Sequence, residues 1–283
     1  MTAIELLSRG PGRARTSRHP AWRGAVAGGL VLLIMAGAAL LPPAWLDLDI
    51  HAVGVPPGPW HPAGTDSLGR DVAARTLAAL SVSVTVGLTA AIASTAIALA
   101  LGLAASMGRG ADHVVGVLTE LVLGLPHFVL LIMVAFATGG GTTGVIVAVA
   151  LTHWPRLARL LRHEAQGVAA SDYVAVSRAL GRSRLWVARH HLAPHLLPQV
   201  VAGFVLIFPH AILHEAGLSF IGLGIEPHLP SVGVMLAQSL REIIAGHWWV
   251  ALAPGLGLVI VALAFERFGE ALRQAAAAPG GTG

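Results

Sequence analysis

AALSVSVTVGLTAAIASTAIALALGLAAS, residues 78–106, runs its whole length without a charge and consists only of Ala, Val, Leu, Ile, Gly, Ser and Thr. A helix needs roughly 20 such residues to cross a bilayer, where no water is present to satisfy free backbone groups. This stretch is long enough to cross and to tilt or project. The whole chain agrees: of 283 residues 55% are hydrophobic and 11% charged, and mean hydropathy is +0.74. That composition excludes a soluble domain, a disordered chain, a coiled coil and a nucleic-acid module. With no cysteine, disulfide frameworks, thiol catalysis and cysteine metal sites are excluded as well.

Working outward, five more apolar stretches reach spanning length: 21–41, 114–138, 144–161, 196–215 and 248–265. The expected fold is therefore an all-α membrane protein of six spans. The third stretch contains Glu120 and Pro126, and the sixth opens on Trp248-Trp249, a pair suited to a membrane interface. All eighteen basic residues are arginine. Arg9, Arg13, Arg15, Arg18 and Arg23 precede or open the first span, Arg109 follows the second, and Arg267 and Arg273 follow the sixth. Seven more, Arg156, Arg159, Arg162, Arg178, Arg182, Arg184 and Arg189, belong to the region between the fourth and fifth spans. Only Arg70, Arg75 and Arg241 fall on the other side, so positive charge places both termini and the long loop in the cytoplasm. The expected organisation is a basic tail over 1–20, one six-span domain over 21–274 and a small-residue tail over 275–283. The first span follows a basic tail and lacks a small-residue cleavage site before Pro42-Pro43, so it is expected to be retained rather than removed as a signal peptide.

The long cytoplasmic loop reads as a short helix from a Ser171-Asp172 cap, with Tyr173, Val176 and Leu180 at helical steps. Gly181 then gives a turn, and Leu185, Val187, Leu192 and Pro194 belong to a second helix. On these features alone the unit either lies on anionic lipid or docks into a groove of a cytoplasmic partner.

Three blocks carry a resemblance. Tyr173-Val-Ala-Val-Ser-Arg-Ala-Leu-Gly181 with His190-His191-Leu192-Ala193-Pro194 resembles the EAA loop of binding-protein-dependent ABC importer permeases, with Ala175, Val176 and Ser177 standing where the consensus has Glu-Ala-Ala. His61-Pro-Ala-Gly-Thr65-Asp66-Ser-Leu-Gly69-Arg70-Asp71 resembles an outer block of the C-type permeases of the peptide/nickel importer family, and Glu215 to Gly224 resembles their fifth-span ending. The resemblance implies a six-span type I importer permease whose loop couples to ATPases through Tyr173, Ala175, Ser177, Gly181, Leu192 and Pro194. It also implies a second, B-type permease, two cytoplasmic ATPases that use ATP and Mg, and an extracytoplasmic solute-binding protein, all in the cytoplasmic membrane of a bacterium. No cofactor is expected on the chain itself. The missing glutamate removes any assumed salt bridge to the ATPase, for which the arginines can substitute.

In the outer block Thr65, Asp66, Gly69, Arg70 and Asp71 are expected to be structural or docking residues, as is Glu215. Asp66 or Ser67 is expected to cap a helix, and Asp71 to pair with Arg75 four positions on. The cargo turns on the histidines. His210 and His214 share a face of the fifth span, and His127 and His153 on the third and fourth spans can approach the same lumen. Imidazole suits nickel, copper and zinc, whereas the plain alternative is hydrogen bonding between helices by neutral rings. The residues around His153 and those from Pro209 to Gly224 resemble nickel permeases more than dipeptide ones, so the expected cargo is nickel or another divalent metal, bare or chelated. A di- or oligopeptide is the second expectation. A membrane receptor or anchor explains the spans but not the helix-glycine-helix loop. Enzymatic readings fail: there is no His-Glu-x-x-His, no Gly-x-Ser-x-Gly, and no lysine anywhere for a Walker A loop.

Overall fold

The computed structural model describes residues 20–277. Arg9, Arg13, Arg15 and Arg18 of the basic tail, and residues 278–283 of the other tail, lie outside the described residues. The described residues form helices and the loops that join them, with one isolated bridge between Thr65 and Asp71. In chain order the helices are α1 (Pro20–Leu40), α2 (Val72–Ser106), α3 (Arg109–Gly124), α4 (His127–Ala137), α5 (Gly141–Ala169), α6 (Asp172–Ala179), α7 (Arg184–Phe220), α8 (Val232–Ile244) and α9 (Trp249–Ala277). Among the described residues α1, α2, α5, α7 and α9 are long and apolar enough to cross a membrane, and α3 with α4 makes a sixth crossing if the pair is one span.

α2 is the centre of the bundle: it packs most extensively on α5, then on α7, and also meets α1, α3, α8 and α9. Small residues permit this approach, because lipid gives no hydrophobic drive and close contact must do the work instead. A side chain at Gly102 would come within 2.9 Å of Leu161, and one at Gly87 within 3.3 Å of Phe208 and Ile212. Phe208, Ile212, Val84, Leu131 and Val145 fill the core on one side of α2, while Leu161, Val174, Val187 and Leu192 form a second cluster near its C-terminal end.

The expected single span over 114–138 is corrected to two helices that meet at 100°. Pro126 lacks an N–H and disfavours helical geometry at the residue before it, and Leu125 is extended, with φ −93° and ψ 147°. The bend leaves His127 as the first residue of α4. α2 also begins at Val72, six residues before the expected start, because Asp71 is its cap and accepts from the Ala74 N–H at 2.8 Å. α7 extends the fifth span at both ends. Its early part contains a widened π turn over Ala188–Leu192, directly before Pro194, whose ring would otherwise crowd the carbonyl four residues back. α8 stands between the fifth and sixth expected spans; Ser231 caps it, accepting from Val234 N–H.

Candidate functional site

At the arginine-rich end, α6 leads through a glycine turn into α7. Gly181 has φ +81°, a left-handed conformation that other residues adopt at a cost, which fixes the direction in which α7 departs. Ser171 occupies the cap position of α6, but its hydroxyl donates backwards to Val168 carbonyl at 2.6 Å instead of capping the helix. Val174 is buried against α5 and α7. Tyr173, Val176, Leu180 and Leu185 are exposed, Leu180 at 76%, and Ala175 is exposed beside them. The apolar residues read as one amphipathic face therefore point outward, and the residue between them faces the core.

A histidine-aromatic clasp holds the turn. Arg182 lies 4.6 Å from the Trp186 ring, Trp186 stacks on His190 at 4.4 Å, and Tyr173 meets His191 edge-on at 5.3 Å. Ser177 Oγ lies 2.9 Å from His191 Nε2. Leu192 is buried, Pro194 is exposed, and Arg184 reaches across to the Met107 carbonyl at the end of α2.

The outer block sits at the opposite end of α2 and is built around Asp66, which is 1% exposed. Its Oδ1 accepts from the Leu68 and Arg70 N–H groups at 2.9 and 3.0 Å, and its Oδ2 accepts from Arg70 Nε at 2.8 Å and Arg75 at 2.5 Å. One expected cap and one expected pairing are thus corrected. Asp71 caps α2 and pairs with His61 at 2.8 Å, whereas Arg75 points to Asp66 and to Gln238 of α8 at 2.9 Å. Asp71 lies at the cap, so its carboxylate turns back to the first-turn N–H groups instead of reaching down the helix. Thr65 donates to Ala52 carbonyl and accepts from Val55 N–H, and Trp249 of α9 donates to the Thr65 carbonyl at 2.9 Å. Gly69 has φ +73°, and a side chain there would run into Asp49 carbonyl.

Sequence spacing gave no sign of the partners that close this block. Ser67 donates to Glu242 of α8, and His247 Nδ1 lies 2.9 Å from the other oxygen of the same carboxylate. Burial pushes the Glu242 carboxyl up, but the bonds from Ser67 and His247 outweigh it and hold the group below the ordinary carboxylate value. Glu226 is a second unforeseen link: it accepts from Thr142 Oγ1 at 2.7 Å and from Thr142 N–H at the start of α5.

The histidines form a cluster of different membership from the expected pair. His127, His153 and His214, from α4, α5 and α7, bring ring nitrogens within 4.8 Å of one another. Their rings stand edge-to-face, with centroids 4.6 to 5.1 Å apart. His210 is outside this group; it is exposed and its Nδ1 donates to Leu206 carbonyl at 3.0 Å. His214 Nδ1 donates to the His210 carbonyl at 2.6 Å, which anchors the ring. Glu215, next in sequence, is fully buried; Ser219 donates to its Oε1 at 2.8 Å.

Comparison with known proteins identifies this architecture. Residues 69–277 match the family of binding-protein-dependent transport system inner membrane components. The chain is 34% identical over 265 residues to a putative peptide transport system permease protein of Brucella abortus, covering 92% of this chain and 88% of that protein. It is 34% identical to a putative peptide permease protein of Brucella suis, covering 95% and 91%. It is 32% identical to a dipeptide transport system permease protein of Bacillus subtilis, covering 87% and 78%. These names give the nickel expectation no support. The chain belongs to the binding-protein-dependent transport system inner membrane components, the permease subunits of ABC importers.

Proposed function

We propose that this chain is one of two permeases in an importer that carries di- or oligopeptides across the cytoplasmic membrane. The observation that carries the reading is the near full-length likeness to proteins named as peptide and dipeptide permeases. Both termini and α6 face the cytoplasm, where the arginines concentrate. There the exposed Tyr173, Val176, Leu180 and Leu185 dock into one of two ATPase subunits, which use ATP and Mg. A solute-binding protein delivers the cargo to the opposite side. The outer block around Asp66 locks the ends of α2, α8 and α9 together so that a push on α6 moves the bundle as a body.

A metal cargo, nickel first among those expected from the sequence, is the second reading, and one observation favours it: the His127, His153 and His214 cluster. Uptake of a radiolabelled tripeptide and of 63Ni2+ by cells lacking the chromosomal gene, with and without the gene restored, separates the two. The peptide reading expects gene-dependent tripeptide uptake; gene-dependent nickel uptake with no peptide uptake overturns it.

A further inference from the structure

Three helices bring one imidazole each to a single point: His127 at the broken end of α4, His153 in the middle of α5 and His214 near the end of α7. The tautomers of two rings follow from their surroundings. The Val149 carbonyl, 3.1 Å from His153 Nδ1, can only accept, so Nδ1 carries the proton. Thr152 agrees, since its hydroxyl donates to Ala148 carbonyl and so accepts from the same Nδ1. Likewise His214 Nδ1 donates to His210 carbonyl. Each ring is left with an Nε2 lone pair, and His153 Nε2 is buried without a hydrogen-bond partner in the chain. A backbone carbonyl that fixes one ring nitrogen while the other stays free is the arrangement found behind metal-binding histidines. Three rings meeting edge-to-face, two of them fixed in this way and none paired donor-to-acceptor with another, explain poorly as interhelical hydrogen bonding.

We propose that His127, His153 and His214 form a binding site for a late first-row divalent metal ion, through Nε2 of His153 and His214 and one ring nitrogen of His127, with a coordination position open to a ligand from outside the chain. Imidazole favours ions such as Ni2+, Cu2+ and Zn2+. With metal–nitrogen bonds of about 2.0–2.1 Å, nitrogens around a tetrahedral ion stand about 3.4 Å apart. The observed separations, up to 4.8 Å, close by small side-chain rotations. His127 is exposed and supplies the accessible side. Arg156 stands one turn beyond His153 on α5, and its positive charge favours an anionic ligand such as a carboxylate in the open position over water. The site goes beyond the peptide reading and does not depend on it.

The test uses the assembled importer in nanodiscs, purified without a histidine tag and dialysed against NiCl2 or ZnCl2 alone. Bound metal is measured by elemental analysis and its ligands by X-ray absorption. Wild type is expected to bind one more ion per chain than the variant carrying His127→Ala, His153→Ala and His214→Ala together, with imidazole nitrogens at about 2.0–2.1 Å. Each single change is expected to weaken binding at least tenfold, and His210→Ala to leave it unchanged. Equal binding by wild type and the triple variant overturns the proposal, as does a loss in His210→Ala matching that in His214→Ala. Where the triple variant fails to assemble, the wild-type spectrum decides: an ion held by oxygen ligands alone also overturns it. Peptide uptake is read separately, so loss of the metal site leaves the importer assignment standing.

Discussion

Replacing Asp66 by alanine removes the acceptor for two backbone N–H groups and two guanidinium groups at once. Asp66 is 1% exposed and Arg75 8%, so the charge left on Arg75 stays out of water with Gln238 as its polar neighbour. Breaking a buried ion pair by removing one partner costs about 3–5 kcal/mol. At about 2–4 °C per kcal/mol for a chain of this size, the unfolding midpoint should fall by about 6–20 °C. Asp66→Asn keeps an acceptor for the loop N–H groups and should fall between wild type and alanine. Combining Asp66→Ala with Arg75→Met removes both charges, so the double variant should lose less than the two single losses added. The assay is a thermal scan of the assembled complex in nanodiscs, alongside the amount of complex recovered from membranes. A midpoint for Asp66→Ala within about 2 °C of wild type would refute the reasoning, because it would mean the block does not hold the helices together.

Further outcomes follow from the geometry at Gly181, Glu242 and Ser231. Open space surrounds Gly181, so conformation alone restricts it: Gly181→Val should cost about 1–2 kcal/mol in the left-handed region and Gly181→Asn much less. Gly181→Trp should leave the protein in the membrane but separate ATP hydrolysis from uptake; wild-type uptake in that variant counts against α6 as the coupling element. Glu242 sits below its ordinary value when folded, so its contribution to stability is present above the unfolded value near 4.5 and is lost as pH falls through the lower folded value. Midpoints measured from about pH 6 down to about pH 3 should drop more steeply in wild type than in Glu242→Gln, and parallel curves would remove Glu242 from the account. Ser231→Ala should lower stability by about 1 kcal/mol through loss of the α8 cap, read as a lower midpoint with α8 exchanging amide hydrogens faster.

The parts of this molecule legible in the sequence are those set by local composition. The charge-free run of α2, the arginine-poor outer side and the Gly181 turn are properties of neighbouring residues, and the structure carries α2 and the turn where those residues stand. Pro126 was visible too, but not the 100° angle that follows, because a proline within an apolar stretch is compatible with either a kink or a break. α8 is not legible as a span because it covers only 13 positions, from Val232 to Ile244. Side-chain partners were the least legible. Asp71 and Arg75 have ideal helical spacing, yet Arg75 found Asp66 because the outer loop folds back over the start of α2. The histidines repeat the lesson: His210 and His214 are four apart, but the contacts that group His214 with His127 and His153 come from packing between α4, α5 and α7.

The most direct test of the central claim is transport by purified parts. This permease, its partner permease, the two ATPase subunits and the solute-binding protein are reconstituted in proteoliposomes and given a labelled tripeptide with ATP and Mg. The account predicts accumulation that needs ATP, needs the solute-binding protein and disappears with Gly181→Trp while ATP hydrolysis continues. Tripeptide accumulation at the same rate in liposomes lacking this chain would contradict it.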